Sequence, residues 1–397
     1  MKNTLLLFIF LLSFPIIGLS QWVSVSSGTS EQLFVVDFID SQTGYCSTGA
    51  RETYKTTDGG NTWSKVLDQG FYDFSFFNES FGFATSVSSV YEESVFKTNN
   101  GGNDWIRLTR PTSDQLKNLF STSETTAYFA GGGGALYKTI DGGDTFSALN
   151  SGTDYYISDI QFTNTTTGYF ISMDRTLKKS IDSGNTWNTI YNFDKYLEKI
   201  FFVNQDVGFI IGFGNDWFNV IWKTENGGET WNVETLNTER YHYVRAIDFY
   251  DENHGIIVGD LGTIRYTENG GETWIIHNSG TNEYLRSVKM TSPTTAVAVG
   301  SNGTILKLLG TLGSEDKSLN QNFTFFPNPV ENRLTIRGIE EMDSVQVYNV
   351  LGKLLYVDNK IFSENYSVDF STYSKGIYFL KISDEKGNAT VKKVIKE

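Results

Sequence analysis

Apolar residues follow three regimes along the chain. From Leu5 to Ile17 they run almost unbroken, interrupted only by Ser13 and Pro15. From Trp22 to Gly310 they come in short β-rich pieces such as VRAIDF (244–249) and AVAVG (296–300), punctuated by Gly and Thr. No stretch there sustains helical spacing, so strands are predicted throughout. The polar, turn-rich GTLGSEDKSLNQN after Leu309 reads as a linker, and alternating strands resume in FFPNPVENRLTIRG, VQVYNVLGKLLY and STYSKGIYFLKIS. The chain is expected to be all-β.

The first run is short for a membrane span, which needs ~20 apolar residues. Lys2 precedes it, and Gly18-Leu19-Ser20 follows with small residues where a signal peptidase cuts. Residues 1–20 are therefore read as a signal peptide, with an exported mature chain from Gln21 and no transmembrane segment.

Self-similarity organises the middle. An eight-residue box recurs as TTDGGNTW (56–63), TNNGGNDW (98–105), TIDGGDTF (139–146), SIDSGNTW (180–187) and TENGGETW (224–231 and 267–274). Its terminal aromatics Trp63, Trp105, Phe146, Trp187, Trp231 and Trp274 are spaced by 42, 41, 41, 44 and 43 residues, a length suited to one four-stranded propeller blade. The third position holds Asp58, Asn100, Asp141, Asp182, Asn226 and Asn269. A side-chain oxygen there can accept amide hydrogens of its own turn, and the Gly pair permits positive φ. Asn replaces an acceptor but not a proton donor, so the boxes are read as structural staples rather than catalytic acids. They also lack the dense carboxylates of an EF-hand, and no metal is expected.

These repeats resemble Asp-box (BNR) repeats, and the blade pattern, including VGDLGTIRYTENGGETW (258–274), resembles the photosystem II assembly and stability factor family over residues 22–310. Six boxes plus one more blade close the count. Trp22 lies 41 residues before Trp63 and precedes SSGT, whereas LRSVKM, AVAVG and TILKLLG supply three strands with no fourth. A seven-bladed β-propeller is expected over 21–310, its last blade completed by the N-terminal strand. Such closure leaves no free sheet edge.

After a linker at 311–321, residues 322–397 fit a small antiparallel β-sandwich. The blocks FPNPVENRLTI, VYNVLGK, YSKGIYFLKI and KKVIKE resemble, in order, the type-A C-terminal sorting domain of the type IX secretion system, with Tyr373 where Leu is commoner. The resemblance implies a partner, the type IX secretion machinery, and delivery to the medium or cell surface.

Charge and composition narrow the function. The chain has a net charge of −14 and one Cys among 397 residues. Residues 21–313 hold 34 acidic and 20 basic groups, against 12 and 11 in 314–397, so the acidity belongs to the propeller. That balance argues against nucleic-acid binding. One Cys excludes a disulfide framework, and three His make a zinc site or other cofactor unexpected. Aligning the blades places Phe34, Tyr72, Lys117, Ser158, Glu198, Arg245 and Arg286 in one column early in the innermost strand. Phe71, Tyr155, Tyr156, Tyr196, Tyr241, Tyr243 and Tyr284 lie just before it. Varied residues on a fixed scaffold are where binding chemistry is written. Arg245, Arg286, Tyr243, Tyr284, Lys117 and Glu198 are the candidate ligand residues of a monomeric binding or scaffold protein, for a glycan or a peptide. The alternative is a glycoside hydrolase, sialidase-like or other. A glycosidase needs two carboxylates roughly 5–9.5 Å apart, and Glu198 is the only acid of the column.

Overall fold

The computed structural model describes residues 21–49, 51–86, 94–109, 111–214, 218–236, 242–309, 324–337, 342–349, 354–361, 365–383 and 389–397. The expected signal peptide, the linker and Tyr241 lie outside the described residues. Among the described residues the only helical segments are three single 3-10 turns, Gly132–Gly134, Asp260–Gly262 and Ser301–Gly303. The strands pair antiparallel and are joined by turns and loops. One compact unit spans Gln21–Gly310, and the C-terminal strands form a second.

Within the first unit, six four-stranded sheets arise from consecutive strands at 35–67, 73–107, 116–148, 157–192, 196–235 and 244–276. They are numbered one to six here. A seventh joins Leu285–Ser292, Thr295–Gly300 and Ile305–Leu309 to Gln21–Val25 at its outer edge. That pairing runs from Gln21 opposite Leu309 to Val25 opposite Ile305.

Burial differs by strand position, for a physical reason. The second strand of a sheet is covered on both faces by neighbouring sheets, so Ala127–Gly131, Gly168–Ser172 and Gly255–Gly259 are buried at every residue. Outermost strands such as Ile106–Arg107 and Ile275–Ile276 are exposed. In sheets one, two, four, five and six the second strand also opens on a glycine, against which an aromatic ring lies. A Cβ on Gly255 would meet Phe249 at 2.4 Å.

Successive sheets are joined by apolar and polar contacts. Trp274 packs with Phe249 of sheet six and Phe209 of sheet five, and Trp63 packs with Val36 of sheet one and Val297 and Ile305 of sheet seven. In five of the six boxes the residue before the opening Thr or Ser reaches the next sheet, whereas Lys223 pairs with Glu225 of its own box. Lys97 donates to the Gly142 carbonyl at 2.8 Å, Lys138 to Ser183 at 2.8 Å and Lys179 to Gly227 at 3.1 Å. Lys307 of sheet seven reaches Asn61 of sheet one at 2.8 Å. Innermost strands are tied as well. Asp159 accepts from the Ile200 amide, Asp248 from Met290, and Ser287 from Val36. Lys199 pairs with Asp159 at 3.1 Å, and Lys289 sits 3.6 Å from both Asp37 and Asp248.

The C-terminal unit has a three-stranded sheet (Thr324–Phe326, Arg333–Arg337, Asn365–Asp369) and a four-stranded one. The latter is ordered Leu354–Ile361, Met342–Asn349, Gly376–Ser383, Ala389–Lys396. Leu334, Ile336 and Val368 of the first sheet and Val345, Val347, Leu380, Ile382 and Val394 of the second form one buried cluster. Alternation along these strands supplies that apolar face.

Candidate functional site

The aligned column is a structural position. In sheets three to seven the register of the innermost strand skips one residue, between Leu116 and Asn118, Ile157 and Asp159, Leu197 and Lys199, Val244 and Ala246, and Leu285 and Ser287. The skipped residues are Lys117, Ser158, Glu198, Arg245 and Arg286. A bulge re-aims its side chain, here at the strand start. Five residues of the sequence column are thus bulges at the same end of their sheets, while Phe34 and Tyr72 precede innermost strands with unbroken register.

Three of the candidates converge, with one residue that alignment missed. Asp260 sits in the 3-10 turn after the second strand of sheet six and accepts from Arg245 Nε at 2.9 Å and Nη2 at 3.0 Å. This is a bidentate pair on a side chain only 6% exposed. The remaining Nη1 of Arg245 lies 3.4 Å from Glu198 Oε1 of sheet five. Arg245 was expected to clamp a ligand, but its fork is filled by Asp260. The signal for Asp260 was present in G-D-L-G (259–262), where the corresponding turns read GGGG (131–134) and GSNG (300–303). What the sequence does not show is which way that turn folds back.

Arg286 differs. Among the described residues it makes no hydrogen bond or ion pair, and its Nε is buried without a partner. Burial, then the adjacent Arg245 charge, push its guanidinium pKa down, while Asp260 and Glu198 oppose them. Burial likewise raises the Glu198 carboxyl against the pull of Arg245. The cluster holds one committed arginine and one uncommitted arginine, which is a ready partner for an anion.

Aromatic and apolar groups surround it. Arg245 lies 5.0 Å from the Tyr243 ring centroid, and Tyr243 packs on Phe213 at 4.8 Å. Tyr284 is 43% exposed, and Tyr155, Met173, Tyr196 and Leu261 are also exposed. Arg175 stacks on Tyr196 at 4.2 Å. Lys117 joins a different group: its ammonium stands over Tyr72 at 4.9 Å. Phe71 is fully buried among Phe74, Phe96 and Trp105.

The boxes form hydrogen-bonded turns. Asp58 Oδ1 accepts from the amides of Asn61 at 3.0 Å and Thr62 at 2.9 Å, and Thr56 Oγ1 accepts from Gly60 at 2.9 Å. Gly59 and Gly60 have φ of 66° and 85°. Asp141 and Asp182 accept from their threonine hydroxyls, whereas the amides of Asn226 and Asn269 donate to Thr230 and Thr273 at 2.9 Å. Asn100 instead donates to Asp104 at 2.9 Å. Trp105, Phe146, Trp187 and Trp231 pack into inter-sheet clusters as Trp63 and Trp274 do. Among the described residues no group of three His, Cys, Asp or Glu is placed to hold a metal ion. None of the described helices is long and apolar enough to cross a membrane.

Known proteins agree with this architecture. Residues 324–397 match the secretion system C-terminal sorting domain family, and residues 15–154 match the photosynthesis system II assembly factor YCF48 family. Among solved structures, YCF48 bound to D1 peptide is 18% identical with a TM-score of 0.60, covering 75% of this chain and 99% of that one. YCF48 from Cyanidioschyzon merolae gives 18% and 0.60, covering 72% and 98%. A GH74 xyloglucanase from Xanthomonas campestris gives 11% and 0.61, covering 81% of this chain and 60% of that one. At such identities the likeness establishes the β-propeller fold. No curated protein matches the chain. The sorting tail implies handling by the type IX secretion machinery and delivery to the cell surface or the extracellular space.

Proposed function

We propose that this chain is an exported seven-bladed β-propeller whose ring is closed by Gln21–Val25 and whose bulge-lined mouth binds a carboxylate-bearing peptide or glycan. In this reading residues 1–20 are a signal peptide, 21–310 the propeller, 311–321 a linker and 322–397 the sorting domain. The Lys307–Asn61, Lys289–Asp37 and Ser287–Val36 contacts between sheets seven and one support ring closure.

One observation carries the binding reading: Arg286 is uncommitted beside an arginine that Asp260 already holds. An incoming carboxylate completes the partnership that Arg286 lacks, while Tyr284 and Tyr243 offer flat contact area at low entropy cost. The YCF48 structure with a bound peptide is a propeller of the same fold, which supports a peptide. The acidic propeller opposes polyanions, so the ligand carries a single negative group. On a peptide and glycan array, Arg286→Ala should lose about tenfold or more in affinity, as expected for a charge-assisted hydrogen bond. Retention of wild-type affinity by that variant would sink the site.

A glycosidase is the second reading. Two carboxylates, Glu198 and Asp260, meet one guanidinium, and the Glu198 carboxyl is raised, as a general acid requires. It predicts glycan hydrolysis that is lost in Glu198→Gln. Binding without turnover of any arrayed glycan removes it.

A further inference from the structure

Three sheets leave their second strand through the same tight turn, and one of these turns carries a residue unsuited to it. Gly132–Gly134, Asp260–Gly262 and Ser301–Gly303 follow the second strands of sheets three, six and seven. Their central residues, Gly133, Leu261 and Asn302, have φ of 60°, 53° and 52°. Glycine adopts this left-handed region freely and asparagine more readily than most residues, whereas a bulky side chain there is strained. Among the described residues other than glycine, positive φ occurs at Arg175, Ser183, Leu261 and Asn302, and Leu261 is the apolar one.

Backbone hydrogen bonds hold Leu261 in that state. The Asp260 amide donates to the Tyr243 carbonyl at 2.7 Å, the Gly262 amide to Glu283 at 2.8 Å, and the Thr263 amide back to Asp260 at 3.1 Å. The first bond ties the turn to the entry of sheet six, and the second ties it to the residue before Tyr284. The turn also lies against Leu285–Ser292, the strand that carries Arg286. Leu261 itself is 42% exposed and joins none of the buried clusters of sheets six and seven. Core packing does not offset its strain, and a leucine side chain has no hydrogen bond to add. Strained residues of this kind persist at ligand sites, where the side chain serves the ligand.

We propose that Leu261 is a specificity residue of the mouth, selecting a polypeptide in which the carboxylate taken by Arg286 lies next to an apolar side chain. This rests on the reading of the mouth as a carboxylate site. Asp260 occupies Arg245 and leaves Arg286 for the ligand, and the same turn brings Leu261 to the strand of Arg286, next to exposed Tyr284. Burying the leucine methyls against an aliphatic or aromatic group removes apolar surface of both from water. A sugar would place hydroxyls there, and leucine offers them neither donor nor acceptor, so the arrangement suits a peptide better than a glycan.

The test presents two sets of probes to the full chain. One set is acetylated, amidated heptapeptides with a central Glu, flanked by Gly alone or by a single Leu or Phe at each other position; the second is uronate-bearing oligosaccharides. Wild type should bind the best apolar-flanked peptide about tenfold more tightly than the all-glycine one. Leu261→Asn should erase that preference and raise the melting temperature by about 2–4 °C as the turn relaxes. Arg286→Ala should weaken every peptide of the set about tenfold. No apolar preference in the wild type, the same preference in Leu261→Asn, or a melting temperature lowered by that substitution overturns the role of Leu261 alone. Wild-type affinity in Arg286→Ala overturns the mouth reading and this role with it. Failure to bind any peptide of the set, or tighter binding of the oligosaccharides, overturns the polypeptide.

Discussion

Residues of the boxes were legible in the sequence because their interactions span four positions or fewer. The Thr145 hydroxyl and amide hold the Asp141 carboxyl down at about 2, and Thr186 does the same for Asp182. A carboxylate depressed in the folded state contributes stability that is complete above its unfolded value and lost as pH falls through the folded one. The propeller should therefore lose stability between about pH 4 and pH 2. Asp141→Asn with Asp182→Asn should flatten that loss with little change at neutral pH, since Asn serves the same slot at 100, 226 and 269. Urea unfolding at several pH values measures this, and an unchanged acid slope refutes it. Asp260, by contrast, meets Arg245 across 15 positions and two backbone bends. Sequence alignment found the column but not the residue that occupies its arginine.

At the scale of elements, strand spacing was readable, while the bulges were not. A bulge inserts a residue without a composition of its own, and Lys, Ser, Glu and Arg all occupy it here. The Gln21–Val25 strand carries Trp22, which is 5% exposed, packs with Leu308, Ala298 and Tyr266, and donates from Nε1 to His277 at 3.3 Å. Burial pushes the His277 pKa down to about 4, so the folded protein keeps it neutral as an acceptor. Trp22→Ala should destabilise by about 3–5 kcal/mol. Because the folded imidazole resists a proton that the unfolded one takes up, stability falls as pH drops from about 6.5 towards 4. His277→Gln should remove that slope. A Trp22→Ala protein with wild-type melting temperature would show that this strand adds little to the stability of sheet seven.

Across the whole molecule, the innermost strands assemble a charged axis that no single sheet contains. Burial pushes the Asp73 carboxyl of sheet two up to about 7, with Lys199 of sheet five opposing and Asp159 of sheet four adding to the rise. An acid raised on folding binds a proton that the unfolded chain has released, so stability is lost as pH rises towards about 7 and recovered below it. Melting temperature should fall between pH 5 and pH 8 by an amount that Asp73→Asn reduces. A slope unchanged in the variant would show that Asp73 does not titrate in this range.

Repeat length, box chemistry, the all-β class and the order of the C-terminal blocks were decided by the sequence itself. Each rests on spacing or on contacts within one turn, where local propensity and side-chain hydrogen bonding suffice. The state of each candidate ligand residue was decided only by the tertiary structure. Arg245 and Arg286 are alike in sequence and in position on their strands. One is neutralised by a turn from its own sheet and the other is left open, because charge pairing depends on distances of about 3 Å between segments far apart in the chain.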